Sequence, residues 1–220
     1  MLGAMRAFIF DFDGVVVDSE RWWDPLMEAL CARLIPTWRA GDNARLLTGA
    51  NLQDNYACLR KEYDLSISQE EFEADIEKLI ETIYGEKARL IPGVRELIRR
   101  LHEARIPIGL ASSSKAAWID RALDRLGLAE AFPIRVTGDD LKPGEGKPAP
   151  TLYLRAAAML AADPEDCVAI EDSRHGVASA KAAGMYCIGL RNGMNEMQDL
   201  SQADEIVASL DGVDVASLSS

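Results

Sequence analysis

Five short apolar runs, each closing on polar residues, constrain this chain more than any other feature of its sequence. They are AFIF before Asp11, IPIGLA before Ser112, PIRV before Thr137, CVAI before Glu171 and YCIGL before Arg191. Runs of this length, rich in Ile, Val and Phe, read as strands buried on both faces. Helical patterns lie between most of them. Val94, Leu97, Ile98 and Leu101 fall on one stripe, and further patterns run over 116–126, 151–160 and 176–183, with Gly184 as the stop of the last. Strands that alternate with helices imply an α/β fold, a parallel sheet covered on both faces. A weaker strand is expected at 205–208.

The stretch 19–88 breaks the alternation. It offers no convincing strand but several helical patterns, the clearest placing Phe72, Ile76, Leu79, Ile80 and Ile83 on one face. An all-helical block right after the first strand reads as a separate unit, so we expect a core of 1–18 and 89–220 and a helical domain of 19–88. The net charge of -12 argues against sequence-independent nucleic-acid binding and against an anionic membrane surface. The N-terminal MLGAMRAFIF has no apolar stretch of signal-peptide length, and no run approaches the roughly 18 apolar residues of a membrane span. Cys31, Cys58, Cys167 and Cys187 form no CxxC pair and read as reduced thiols. These features point to a cytoplasmic protein. A monomer is the expectation, although no motif fixes the oligomeric state.

In an open parallel sheet, ligands bind beyond the carboxyl ends of the strands. Asp11-Phe12-Asp13-Gly14, Ser112-Ser113-Ser114-Lys115 and Glu171-Asp172-Ser173 therefore read as one site, joined by Lys147 from the loop GKPAP. Asp11, Asp13, Glu171 and Asp172 packed together would repel one another unless a counter-charge is present. Oxygen ligands at this density suit Mg²⁺. A lone DxD would be a weak signal, because an Asp closing a strand is usually a turn residue. Here several strand ends and a lysine agree.

Taken together, DFDGVVVDS (11–19), LASSSK (110–115), GKPAP (146–150) and AIEDSRHGVASAKAAGM (169–185) resemble the motifs of the haloacid dehalogenase superfamily. The likeness is to the branch that contains beta-phosphoglucomutase and the sugar-phosphate phosphatases. It implies a Rossmann-like core with an inserted helical cap domain. It also implies that Asp11 is a nucleophile forming an aspartyl phosphate and that Asp13 is the general acid and base. Mg²⁺ would be held by the Asp11 carboxylate, the Asp13 carbonyl and Asp172, with Glu171 in or just outside the first shell. Ser112 would donate to a phosphoryl oxygen, and Lys147 would neutralise charge and hold Asp11. Ser113, Ser114 and Lys115 are placed toward the phosphate, and Trp23 and Asn51 toward the rest of the substrate.

Several neighbours read more plainly. Lys142 lacks the GKPAP context and reads as solvated, His175 reads as an exposed or structural residue, and His102 as a helix-surface one. Asp18 and Ser19 read as anchors of the cap linker, with a helix N-cap as the alternative for Asp18, and Trp22 reads as cap core rather than substrate platform. Dehalogenases proper lack the second aspartate of the first motif, so Asp13 favours phosphoryl transfer. Beta-phosphoglucomutase carries a histidine just after that motif and an arginine in the segment resembling TGANLQDNY. Here the first region reads SERWW and the second holds no arginine. The expected activity is therefore hydrolysis of a small phosphorylated metabolite, with a phosphosugar mutase as the alternative. A receiver-like switch or a binding-only relative would not need the adjacent acid/base pair.

Overall fold

The computed structural model describes residues 6–42, 52–63 and 65–218. Every residue of β1 (Ala7–Phe10), β2 (Ile108–Ala111) and β4 (Cys167–Glu171) is buried. Such strands can pair only in the middle of a sheet. With β3 (Ile134–Val136), β5 (Tyr186–Leu190) and β6 (Glu205–Val207) they form a six-stranded sheet of order β3-β2-β1-β4-β5-β6. All pairs are parallel, with Phe8 opposite both Ile108 and Val168, and Phe10 opposite both Leu110 and Ile170. The chain winds outward from β1 in one direction and from β4 in the other. The reversal opens a crevice at their carboxyl ends. This is the parallel α/β sheet that the apolar runs imply and the Rossmann-like core that the family resemblance implies.

The two sides of β1 carry different side chains. Ala7 and Ile9 belong to a core cluster with Ala169, Leu152, Tyr153, Ala156, Ala157, Val177 and Ala180. These come from the sheet and from the helices Thr151–Met159 and Arg174–Ala182. Small residues on this side let both helices approach closely. Phe8 and Phe10 stand on the other side, where Phe10 meets Phe132 edge-on at a centroid distance of 5.5 Å. The stripe Val94, Leu97, Ile98 and Leu101 is buried on helix Val94–Glu103. Each such side chain contributes about 1.5–3 kcal/mol on leaving water. Helix Ala116–Leu126 follows β2 at the bounds its pattern predicts.

The chain divides into two compact units, Met1–Asp18 with Arg89–Ser220, and Ser19–Ala88. In the second unit the described residues form helices Glu20–Leu34, Leu52–Tyr63 and Gln69–Ile80. Gln69–Ile80 begins with a capping box, Ser68 Oγ accepting from the Glu71 amide and Glu71 Oε2 from the Ser68 amide. Phe72, Ile76, Leu79, Ile80 and Ile83 are all buried, as their spacing predicts. The pattern does not anticipate the π-helical winding of Glu81–Lys87, which continues the helix and buries Tyr84 beside Ile83. Cys31, Cys167 and Cys187 are buried and Cys58 half-buried, all as free thiols. Among the described residues no helix is long and apolar enough to cross a membrane.

Asp18 and Arg89 bracket the point where the chain leaves the sheet unit and returns to it. The Asp18 amide donates to the Arg89 carbonyl, and the Asp18 carboxylate accepts the Arg89 amide at 2.6 Å. Asp18 is buried, so replacing it leaves that amide without its acceptor. Asp18→Ala should lower stability by about 1–3 kcal/mol, read from urea midpoints. An unchanged midpoint would show that the clamp contributes nothing.

Candidate active site

Each strand delivers its polar residue at the same edge of the sheet. Asp11 follows β1, and its amide still bonds the Ile170 carbonyl of β4 at 3.0 Å. The chain then turns tightly, with the Phe12 carbonyl accepting the amides of Val16 and Val17. Gly14 sits in this turn at φ +81. A Cβ on Gly14 would lie 2.0 Å from Asp172 Oδ2, so both the backbone and the space require glycine. Ser112 follows β2, its amide held by the Val136 carbonyl. Lys147 comes from the loop after β3. Arg155 grips the start of that loop at the Asp140 carbonyl and Glu145, and Ser179 Oγ holds its end at the Ala149 carbonyl.

Lys147 is the hub of the cluster. Its Nζ lies 2.5 Å from Asp11 Oδ1 and also donates to Glu171 Oε1. All three side chains are nearly or fully out of water, with exposures of 9%, 9% and 0%. Glu171 is crowded with donors. Oε1 also accepts the Tyr153 hydroxyl at 2.8 Å, and Oε2 accepts the Asp172 amide, the Ser173 amide and Ser173 Oγ. A carboxylate offers about four acceptor sites, so Glu171 is already fully engaged by protein. Its carboxylate also lies against the helix Arg174–Ala182, where a Cβ on Gly176 would come within 1.9 Å of it.

The electrostatics follow from this crowding. Burial pushes Asp11 up, Lys147 pulls it down, and Glu171 and Asp13 push it up again, leaving it well above the usual carboxylate range. Burial alone would lower Lys147, but Asp11 and Glu171 outweigh it and keep the ammonium charged. Burial, with Glu171 and Asp11 nearby, raises the Tyr153 hydroxyl well above its ordinary value, so it stays a donor. The site thus holds more negative charge than its lysine balances. Ligand atoms of Asp11, Glu171 and Asp172 lie within 4.8 Å of one another. Lys147 engages one lone pair of Asp11 Oδ1, which leaves Oδ2 open to an electrophile and a second lone pair on Oδ1 open to a cation. With Glu171 engaged by protein, the carboxylates of Asp11 and Asp172 and the charge excess of the site fit a hard divalent cation.

Asp13 and the serines form the adjoining part. Ser114 Oγ donates to Asp13 Oδ2 at 2.5 Å, and the Ser114 amide donates to Ser112 Oγ at 3.0 Å. Ser112 therefore accepts from the chain and keeps its own proton to donate. Ser113 is exposed. Lys115, also exposed, lies with its ammonium 5.6 Å from the Trp118 ring centre. Trp23 is half-buried in the helical unit, edge-on to Tyr84 at 6.4 Å. Asn51 lies outside the described residues. Lys142, His102 and His175 are exposed, as expected.

Three contributors escape the sequence reading. Tyr153 looks like an apolar-stripe residue of its helix, and nothing in the stripe tells of its bond to Glu171. Asn192 and Asn195 sit in a polar run after β5 that reads as loop. Yet Asn192 Nδ2 donates to Asp172 Oδ2 at 2.9 Å and to the Gly14 carbonyl at 2.8 Å, and Asn195 Nδ2 donates to the Asp172 carbonyl at 2.6 Å.

A doubly wound sheet with a lysine-bridged carboxylate cluster at the ends of β1 and β4 defines the class, and comparison with known proteins agrees. The family profile described as haloacid dehalogenase-like hydrolase matches residues 5–184, and the chain belongs to that family. A phosphorylated carbohydrates phosphatase of Thermotoga maritima is 31% identical over 206 residues, 92% of this chain and 93% of that protein. A beta-phosphoglucomutase of Bacillus subtilis is 32% identical over 215 residues, 92% of this chain and 89% of that one. The crystal structure of a HAD hydrolase, family IA, variant 3, from Entamoeba histolytica gives a TM-score of 0.80 at 25% identity, covering 97% of each chain.

The charge balance yields a pH-dependent expectation. A carboxyl raised in the folded state contributes stability below its unfolded value and loses it as pH rises through the folded one. Lys147 offsets that loss for Asp11. In chelator, the deficit of Lys147→Met relative to the parent should widen from about pH 4.5 to about pH 7.5, approaching roughly 3–5 kcal/mol. Urea midpoints at the two pH values check this; equal deficits would contradict it.

Proposed function

We propose that the protein is a Mg²⁺-dependent phosphatase of small phosphorylated metabolites, sugar or sugar-acid phosphates among them, acting through an aspartyl phosphate on Asp11. One observation carries the reading. Asp11 is fixed through Oδ1 by Lys147, and two residues on stands a second carboxyl, Asp13, held by Ser114. The first is built to attack without turning, the second to exchange a proton.

In the first step Asp11 Oδ2 bonds to phosphorus as the ester oxygen leaves, taking the proton of Asp13. In the second, water gives its proton to Asp13 and its oxygen to phosphorus, releasing phosphate and restoring Asp11. Splitting one displacement into two lowers each barrier, and the Asp13 transfer supplies roughly 10²–10⁴-fold. Lys147 and the Ser112 hydroxyl stabilise charge on the phosphoryl oxygens. Bound by Asp11, the Asp13 carbonyl and Asp172, Mg²⁺ would screen nucleophile from phosphate and stabilise the charge of the transition state. Glu171 serves by holding Lys147, its oxygens being already engaged. The helical unit 19–88 acts as the cap that selects the substrate, with Trp23 and Asn51 as candidate contacts.

The identities to a named phosphatase and a named mutase are nearly equal, so local residues decide between them. A mutase must retain a bisphosphate through a second phosphate site, ideally with a bidentate arginine. The segment 48–56 contains no cation, and Trp23 cannot act as a histidine. Water should therefore win. With beta-glucose 1-phosphate and a trace of the bisphosphate, free phosphate should form faster than glucose 6-phosphate; the reverse order would make mutase the better reading.

Phosphate release from a model ester should stop on chelation and return with Mg²⁺, whereas Ca²⁺ should inhibit through its looser coordination shell. Asp11→Asn should keep the fold and lower kcat by roughly 10³-fold or more. Full turnover in chelator, or parent-like turnover by Asp11→Asn, would overturn the mechanism.

A further inference from the structure

We propose that Asn192 and Asn195 are positioning residues that lock Asp172 in the orientation in which it accepts a divalent cation, an assignment that rests on the metal reading of the site. A loop asparagine ordinarily serves its own turn. Asn192 does so with one atom only, its Oδ1 accepting the Met194 amide at 2.8 Å. The turn has no use for its Nδ2. Both Nδ2 protons instead go to distant parts of the chain, the Gly14 carbonyl after β1 and Asp172 Oδ2 after β4.

Asn195 repeats the pattern. Its Oδ1 accepts the Asn192 amide at 3.2 Å, and its Nδ2 donates to the carbonyls of Leu190 and Asp172. Asn195 is 6% exposed, and Arg191 Nη1 bonds its carbonyl at 2.7 Å. Asp172 is thus held at the carboxylate by one asparagine and at the backbone by the other. Gly14 packs against a further side, since its Cα leaves no room for a Cβ beside Asp172 Oδ2. The neutral amide matters. It holds a carboxylate without supplying the positive charge that would compete with a cation, which is the opposite of what Lys147 does to Asp11. Partners of this kind orient metal ligands, and their loss typically costs about 10–100-fold in affinity.

The test is Mg²⁺ binding to the full chain without substrate, by titration calorimetry, for the parent, Asn192→Ala and Asn192→Ser. Serine retains an oxygen able to cap the turn but is too short to reach Asp172, so a purely structural role predicts that it binds like the parent. We expect both variants to raise the Mg²⁺ dissociation constant by about 10-fold or more. The rise in melting temperature on adding Mg²⁺ should shrink with it. Melting temperatures in chelator report any loss of fold separately. If Asn192→Ala fails to fold, Asn192→Ser carries the decision. A folded Asn192→Ser whose dissociation constant stays within about twofold of the parent's, against the 10-fold expected, would overturn the assignment. A parent that binds no Mg²⁺ would overturn the metal reading and this assignment together.

Discussion

The ammonium of Lys147, seated between Asp11 and Glu171, is the interaction on which the rest of the site depends. Carboxylates withdrawn from water beside one another are costly. Removing one member of a buried charge pair typically costs about 3–5 kcal/mol. A parallel sheet makes such crowding hard to avoid, because it brings all its strand ends to one edge and the helices cover the flanks. Lys147 relieves the crowding from a loop that the neighbouring helices anchor at both ends, so the charge arrives on a fixed support.

The site is also asymmetric in how its acids are held. Glu171 is saturated by donors from Lys147, Tyr153 and its own chain, and serves as an anchor. Asp11 is fixed by Lys147 through one oxygen only. Asp13 is held by a neutral serine hydroxyl. Asp172 is held by neutral amides. The four acids share one sheet edge, yet hydrogen-bonding partners divide their work.

Much of this was legible in the sequence, for physical reasons. Strands buried on both faces must be short and apolar, so AFIF, IPIGLA and CVAI announced themselves, and the motif residues closing them led to Asp11, Ser112 and Glu171. The stripe from Phe72 to Ile83 showed the helical face through its spacing. What escaped depends on contacts that spacing does not encode. Tyr153 occupies a core position on its helix, and only the fold reveals that its hydroxyl meets Glu171. Asn192 lies 178 residues from Gly14, whose carbonyl it binds. The π-helical winding at Glu81–Lys87 leaves no mark in a pattern read at ordinary helical spacing.

The place of β1 at the centre of the sheet bears on how the chain is made. Its partners, β2 and β4, are encoded about 100 and about 160 residues later. At roughly 5–20 residues per second of synthesis, β1 waits on the order of ten seconds or more for its second neighbour. Until β2 emerges AFIF is an unpaired apolar strand on a nascent chain, and until β4 emerges one of its edges stays open, the kind of segment that invites association with other chains or capture by a chaperone. The strand that ends at Asp11 is therefore the first of the six to be made and among the last to be paired on both edges, and the cluster around Lys147 can assemble only after Glu171 has emerged.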